Sequence, residues 1–119
     1  MSTDENEPRI GSLVALGGGH GLSATLRAAR LVARDVTAVV TVADDGGSSG
    51  RLRRELQILP PGDLRMALCA LAATDDDHQL LTRLFQHRYG GTGALAGHAV
   101  GNLVFAGLWE LLGDPLEAL

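Results

Sequence analysis

The sequence predicts an α/β fold, a parallel sheet with flanking helices. Three observations carry this: an apolar run that ends in a glycine cluster, a helical stretch behind the cluster, and a β-branched run behind the helix. Strand, helix and strand within about 30 residues make a βαβ unit, whose crossover is right-handed.

The first strand is Ser12-Leu13-Val14-Ala15-Leu16, which runs into Gly17-Gly18-Gly19-His20-Gly21. A short apolar run bounded by glycine reads as a buried strand meeting a loop. Residues 22–34 have helical periodicity. Leu22, Leu26, Ala29 and Val32 or Ala33 share one face, while Arg27, Arg30 and Arg34 can meet water. Asp35 is expected to break this helix. Val36-Thr37-Ala38-Val39-Val40-Thr41-Val42, rich in β-branched residues, is the second strand.

A polar loop, Ala43-Asp44-Asp45-Gly46-Gly47-Ser48-Ser49-Gly50, follows at the carboxyl end of that strand. Residues 51–56 make a helical turn or two, stopped by Pro60-Pro61. Gly62-Asp63 opens a helix to about Ala73, with Asp63 near its N-cap. Asp75-Asp76-Asp77 separates it from a helix whose Leu80, Leu81, Leu84 and Phe85 face inward. Tyr89-Gly90-Gly91-Thr92-Gly93 is a turn. Residues 98–112 form a last helix, apolar nearly all round and therefore expected to be buried on more than one side. Two strands cannot cover so apolar a helix, so further strands are expected beyond Leu119. Residues 1–9, acidic and polar, are expected to be a disordered leader.

The 119 residues suffice for one domain with a modest core. Phe85, Tyr89, Phe105 and Trp109 are the only aromatic residues, so the core is expected to consist mainly of Leu, Val and Ala. The 16 glycines are about twice the usual share and cluster at element ends. A net charge of −4 argues against a nucleic-acid-binding domain. All ten basic residues are arginine, so an anion is met by Arg, His or backbone N–H. A single cysteine excludes an intramolecular disulfide and fits a reducing compartment; Cys69, in an apolar setting, reads as a small core residue. No stretch has the apolar length of a membrane span. The expected location is the cytoplasm.

Gly19-His20-Gly21-Leu22-Ser23-Ala24 matches the dinucleotide fingerprint G-x-G-x-x-A and sits, as that fingerprint requires, between a strand and a helix. Glycines let the backbone approach a phosphate, and the helix N-terminus adds favourable partial charge. A Walker A sequence is absent. Asp44 and Asp45 stand where such a fold places its ribose-binding acid, and beside a phosphate either could hold Mg²⁺ through waters. Gly46, Gly47, Ser48, Ser49, Gly50 and Arg51 look like a second anion loop: flexible backbone, two hydroxyl donors, then an arginine. An ordinary turn is the competing reading of Asp44-Asp45-Gly46. His98 and Asn102, four apart, are expected on one face at the start of the last helix, either contacting the ligand or capping the helix and filling the core. No pair of histidines has metal-ligand spacing.

The string from Thr41 to Arg53, together with Gly17-Gly18-Gly19-His20-Gly21, Pro60-Pro61-Gly62-Asp63-Leu64-Arg65 and Gly97-His98-Ala99-Val100-Gly101-Asn102-Leu103, resembles the YvcK family of gluconeogenesis factors. That family shares a superfamily with CofD, the phospholactate transferase of deazaflavin cofactor synthesis. The resemblance runs from about Ile10 to Leu119 and covers the N-terminal third of family members.

The resemblance implies a Rossmann-like fold, with residues 10–119 forming the N-terminal part of a nucleotide-binding domain. It implies binding of a UDP-sugar such as UDP-N-acetylglucosamine, support of growth on gluconeogenic carbon sources, and a role in cell shape and wall synthesis, with no settled catalytic reaction. The family's nucleotide-loop residues carry over onto Gly17, Gly18, Gly19, His20 and Gly21, onto Asp44, Asp45, Gly46, Gly47, Ser48, Ser49, Gly50 and Arg51, and onto Asp63, His98 and Asn102. His20 stands where many relatives have Thr. The partners to expect are the nucleotide sugar, a second copy of the chain and regulators of cell-wall synthesis. The rival readings are a CofD-like transferase using Mg²⁺ at Asp44 or Asp45, and a generic NAD-binding domain.

Overall fold

The computed structural model describes residues 9–119; the leader expected at 1–9 lies, but for Arg9, outside the described residues. Strand β1 (Ile10–Gly17) leads into helix α1 (Gly19–Val32) and back to strand β2 (Ala33–Val40). The strands pair in parallel, Ile10 opposite Ala33 and Gly17 opposite Val40. The α/β reading therefore holds, as a partial domain built on one βαβ unit. Five helices follow: α2 (Gly47–Leu56), α3 (Gly62–Leu71), α4 (Asp76–Gln86), α5 (Val100–Leu112) and the short α6 (Pro115–Ala118).

The boundary between α1 and β2 differs from the expected one. Asp35 breaks nothing; it lies inside β2, and the helix hands over at Ala33, whose N–H still bonds the Ala29 carbonyl. Ala33 is small enough to bury at this corner. Arg34 and Asp35 stay in solvent and pair with each other at 3.5 Å, so the strand can begin there at no desolvation cost.

Leu13 and Ala15 of β1 face the same way as Val36, Ala38 and Val40 of β2. Against them pack Leu22 and Leu26 of α1 and Ala67 and Ala70 of α3. A second cluster joins Leu52 of α2 and Ile58 to Ala106 of α5, flanked by Leu103 and Trp109. Both clusters are built of aliphatic residues, as the scarcity of aromatics demands.

The opposite sheet face is open. Val14 and Val39 are exposed there, and Leu16 is 75% exposed. A parallel sheet is normally covered on both faces; among the described residues this one is covered on one. Two helices also depart from expectation. Leu80, Leu81 and Leu84 of α4 are exposed, and only Phe85 turns inward, edge-on to Phe105 at 6.0 Å between ring centroids. Helix α5 buries one stripe, Gly101, Asn102, Phe105 and Ala106, while Leu111 is 79% exposed. Apolar periodicity reports which faces avoid water, not whether this stretch of chain covers them. No helix among the described residues is long and apolar enough to cross a membrane.

Apolar faces of this extent drive association. The 119-residue chain alone should sediment as a self-associating species. Replacing the paired outward residues Leu16 and Val39 by threonine should shift it toward monomer in sedimentation velocity; a strictly monomeric wild type would contradict this.

Candidate functional site: a cleft between helix starts

Helices α1 and α2 begin in the same way. Gly18 caps α1 in an extended conformation (φ −156°), and Gly19 follows at φ +58°. Gly46 caps α2 (φ −102°), and Gly47 follows at φ +52°. A side chain at Gly19 or Gly47 would cost about 1–2 kcal/mol in that left-handed region. Neither start is capped by a side chain. The first N–H groups of both helices thus lack intrahelical or side-chain partners, and both helix dipoles place positive charge there.

Both starts line one cleft of about 240 Å³. Gly19 and His20 come from the first loop, Asp44, Gly46, Gly47, Ser48 and Ser49 from the second, and Gly62, Asp63, Arg65 and Met66 from the start of α3, with Arg88 at the rim. Two strand ends at one edge of a parallel pair bring the loops together; the Thr41 N–H to Gly17 carbonyl bond of 2.7 Å extends the ladder into both loops. Gly18 is tightly packed: a methyl there would stand 3.2 Å from the Thr41 carbonyl and 3.3 Å from the Asp63 carboxylate, so these neighbours would have to give by a few tenths of an ångström. Gly17 and Gly21 frame the first loop without lining the cleft.

The two neighbouring aspartates separate. Asp44 lines the cleft and accepts the Gly46 N–H at 3.0 Å. Asp45 turns outward to Arg53 (3.6 Å) and Arg54 (3.4 Å). Gly50 packs directly on the Asp45 carbonyl, where any side chain would collide. Asp63 sits in the first turn of α3, two residues after the N-cap, which Pro61 takes.

Ser48 and Ser49 are not loop residues. They open α2 with their side chains buried, because the helix starts at Gly47 rather than at Arg51. The Ser49 hydroxyl oxygen accepts the Gly62 N–H at 2.9 Å, tying α3 to α2. Ser48 belongs to a directed chain of hydrogen bonds. Arg65 can only donate, so at 2.9 Å it fixes the Asn102 oxygen toward itself. The Asn102 amide nitrogen then donates to the Ser48 oxygen at 3.0 Å. Ser48 donates in turn to His98 Nδ1 at 2.8 Å. With Ser48 donating, the His98 proton sits on Nε2 and the ring is neutral, in keeping with its lowered pKa.

His98 lies two residues before α5, not on it, and meets Asn102 through Ser48 rather than on a shared helix face. Burial, then the nearby Arg51, lowers its pKa below the ordinary 6.5. Arg51 turns away from the cleft, giving its guanidinium to the carbonyls of Ala96 (2.7 Å) and Ala94 (2.6 Å). Arg65 and Arg88 are the cleft's arginines, and the sequence reading missed both. A signal for Arg65 existed: it is a lone charge in the apolar run Leu64 to Ala70, and the argument that Asn102 must find partners applied to it equally.

A larger hollow of about 640 Å³ lies elsewhere, between α1, α3 and α4. Its Arg30 is already held by the Ala70 and Ala72 carbonyls. Burial there pushes the Cys69 thiol up, which keeps it protonated and unreactive. Size alone does not make it the site; no uncapped helix start reaches it.

The family described as "2-phospho-L-lactate transferase CofD" matches residues 13–119. The chain belongs to the CofD family. Within it, the similarity is to gluconeogenesis factors. The chain is 66% identical over 107 residues to a Mycobacterium tuberculosis protein named "Putative gluconeogenesis factor", covering 90% of this chain and 31% of that protein. It is 50% identical over 107 residues to the Bacillus subtilis "Gluconeogenesis factor", covering 90% and 33%. A crystal structure of a Bacillus halodurans protein superposes with a TM-score of 0.78 at 48% identity, covering 92% of this chain and 34% of that one. The chain thus spans about a third of the length of the relatives it matches.

Two outcomes follow from the buried network. Asn102→Ala removes a charge-assisted and a neutral hydrogen bond and strands Arg65, so it should cost about 2–4 kcal/mol in urea unfolding. His98 binds its proton less readily folded than unfolded, so its contribution to stability is complete above the ordinary value of 6.5 and is lost as pH falls below it toward the lowered folded value. The stability gap between wild type and His98→Gln should narrow below that pH; a gap independent of pH would refute the neutral assignment.

Proposed function

We propose that this cleft binds the diphosphate of a nucleotide sugar of the UDP-N-acetylglucosamine class. On this reading the protein is a ligand-sensing regulator that supports growth on gluconeogenic carbon sources and influences cell shape and wall synthesis. The observation that carries it is the pair of uncapped Gly-Gly helix starts, Gly18-Gly19 and Gly46-Gly47, of which Gly19, Gly46 and Gly47 line one cleft. Backbone N–H groups and helix dipoles suit a diphosphate. Asp44 and Asp63 beside them suit ribose or sugar hydroxyls, which a bare phosphate would not need. Similarity to proteins named gluconeogenesis factors supports the gluconeogenic part of this reading.

The cleft is smaller than the roughly 300–1,000 Å³ typical of small-molecule sites, so it holds part of such a ligand. The diphosphate is the part it fits. The CofD-like transferase reading draws on the same carboxylates. A Mg²⁺ shared between one or two carboxylates and a diphosphate is a common arrangement, and Asp44 and Asp63 fit it where Asp45, held by two arginines, does not. Among the described residues no three acidic, His or Cys side chains converge, so the chain's own residues do not form a complete metal cage.

Calorimetry with UDP-N-acetylglucosamine and NAD on the full-length chain tests the reading. UDP-N-acetylglucosamine should bind more tightly, and Gly47→Val should weaken it about 10-fold or more by forcing a β-branched residue to φ +52°. Arg51→Ala should weaken it less than Gly47→Val does, because Arg51 holds carbonyls outside the cleft. Tighter binding of NAD would favour the dinucleotide reading instead.

A further inference from the structure

We infer that Arg65, with Arg88 beside it, is the cation that receives the ligand's phosphoryl charge, an inference that rests on the diphosphate reading above. Arg65 is 3% exposed, yet no ion pair among the described residues involves it. Its partners are neutral: Nε donates to Gln86 Oε1 at 3.0 Å and Nη1 to Asn102 Oδ1 at 2.9 Å. Nη2 makes no hydrogen bond among the described residues, and it is not sealed from solvent, since no buried side-chain nitrogen or oxygen there lacks a partner. Arg65 lines the cleft, so that free edge opens on it.

Burying a guanidinium with only neutral hydrogen-bond partners is unfavourable, and its acidic neighbour Asp63 offsets this less than burial and Arg88 disfavour the charge. Its surroundings are shaped for it. A methyl on Gly101 would stand 2.8 Å from the Arg65 Cδ and 2.8 Å from the Phe85 ring, so α5 carries a glycine where the arginine passes. Gln86 and Asn102, from α4 and α5, fix the plane of the guanidinium before any ligand binds. Burial, then repulsion from Arg88, pushes the Arg65 pKa down. Arg88 is itself anchored through the Gly97 carbonyl at 2.8 Å and lines the same cleft. An anion between the two relieves both effects. A planar fork with one edge fixed and the other free matches two oxygens of a phosphoryl group.

The test is calorimetry on the full-length chain with UDP, uridine and inorganic pyrophosphate. Arg65→Gln should weaken UDP and pyrophosphate about 10- to 100-fold and flatten their salt dependence, leaving any uridine binding unchanged. Arg65→Lys should recover only part of the loss, since a point charge cannot replace the fork. Arg88→Ala, at an exposed position, should weaken UDP and pyrophosphate more than uridine. A folded Arg65→Gln variant that binds UDP as tightly as wild type would overturn the inference and leave the diphosphate reading standing. If Arg65→Gln shows no cooperative unfolding transition, Arg88→Ala decides: undiminished UDP and pyrophosphate affinity overturns the inference. A wild-type chain that binds neither UDP nor pyrophosphate overturns both.

Discussion

Asn102 is 1% exposed, and through its two amide atoms it connects the starts of three helices. Its oxygen holds Arg65 of α3 and its nitrogen holds Ser48 of α2, while its own position starts α5. Because an amide has one acceptor and one donor end, it can serve this pair in only one orientation. Arg65 sets that orientation, and the direction of the Asn102 bond to Ser48 follows. The positions of Gly46, Gly47 and Gly62 around the cleft depend on this junction, since Ser49 carries Gly62 from beneath and Ser48 anchors the first turn of α2. The cleft floor is therefore rigid before any ligand is present, which is what lowers the entropic cost of binding.

The βαβ unit was legible in the sequence because its signals are local: β-branched runs, a helical period and glycines at the junction. The glycine loops were legible for the same reason. What the sequence concealed was side-chain direction. Ser48 and Ser49 beside glycines look like phosphate donors, but α5 closes over them from about 50 residues away, and nothing adjacent to the serines announces it. Arg51 adjoins the loop in sequence, but its guanidinium bonds carbonyls more than 40 residues on. Arg65 was overlooked because its partners lie 21 and 37 residues further along the chain. Polar residues in apolar helices were a readable signal, applied to Asn102 and not to the arginine that Asn102 serves.

The cleft sets opposed charges side by side. Two helix starts, Arg65 and Arg88 bring positive potential, and Asp44 and Asp63 bring negative. A site of one sign would concentrate any anion. A divided site asks for a ligand with both an anionic centre and hydroxyl donors, or for an anion accompanied by a divalent cation.

Position 20 shows how such a site tolerates change. His20 lines the cleft, is exposed, and makes no hydrogen bond among the described residues. The resemblance to the YvcK family implies threonine as the common residue there, which would exchange a hydroxyl for an imidazole at the mouth of the first loop. If the hydroxyl gripped a phosphate, the exchange would remove a donor from the centre of the site. On the proposed reading, in which main-chain N–H groups at Gly19 and Gly47 supply the grip, side-chain identity at position 20 matters less than the backbone conformation beneath it. The invariable requirement then falls on the residues that a Cβ would strain or displace: Gly18 against Thr41 and Asp63, Gly19 and Gly47 at positive φ, and Gly101 under Arg65. The buried Arg65–Asn102–Ser48–His98 chain is the framework that keeps that backbone in place.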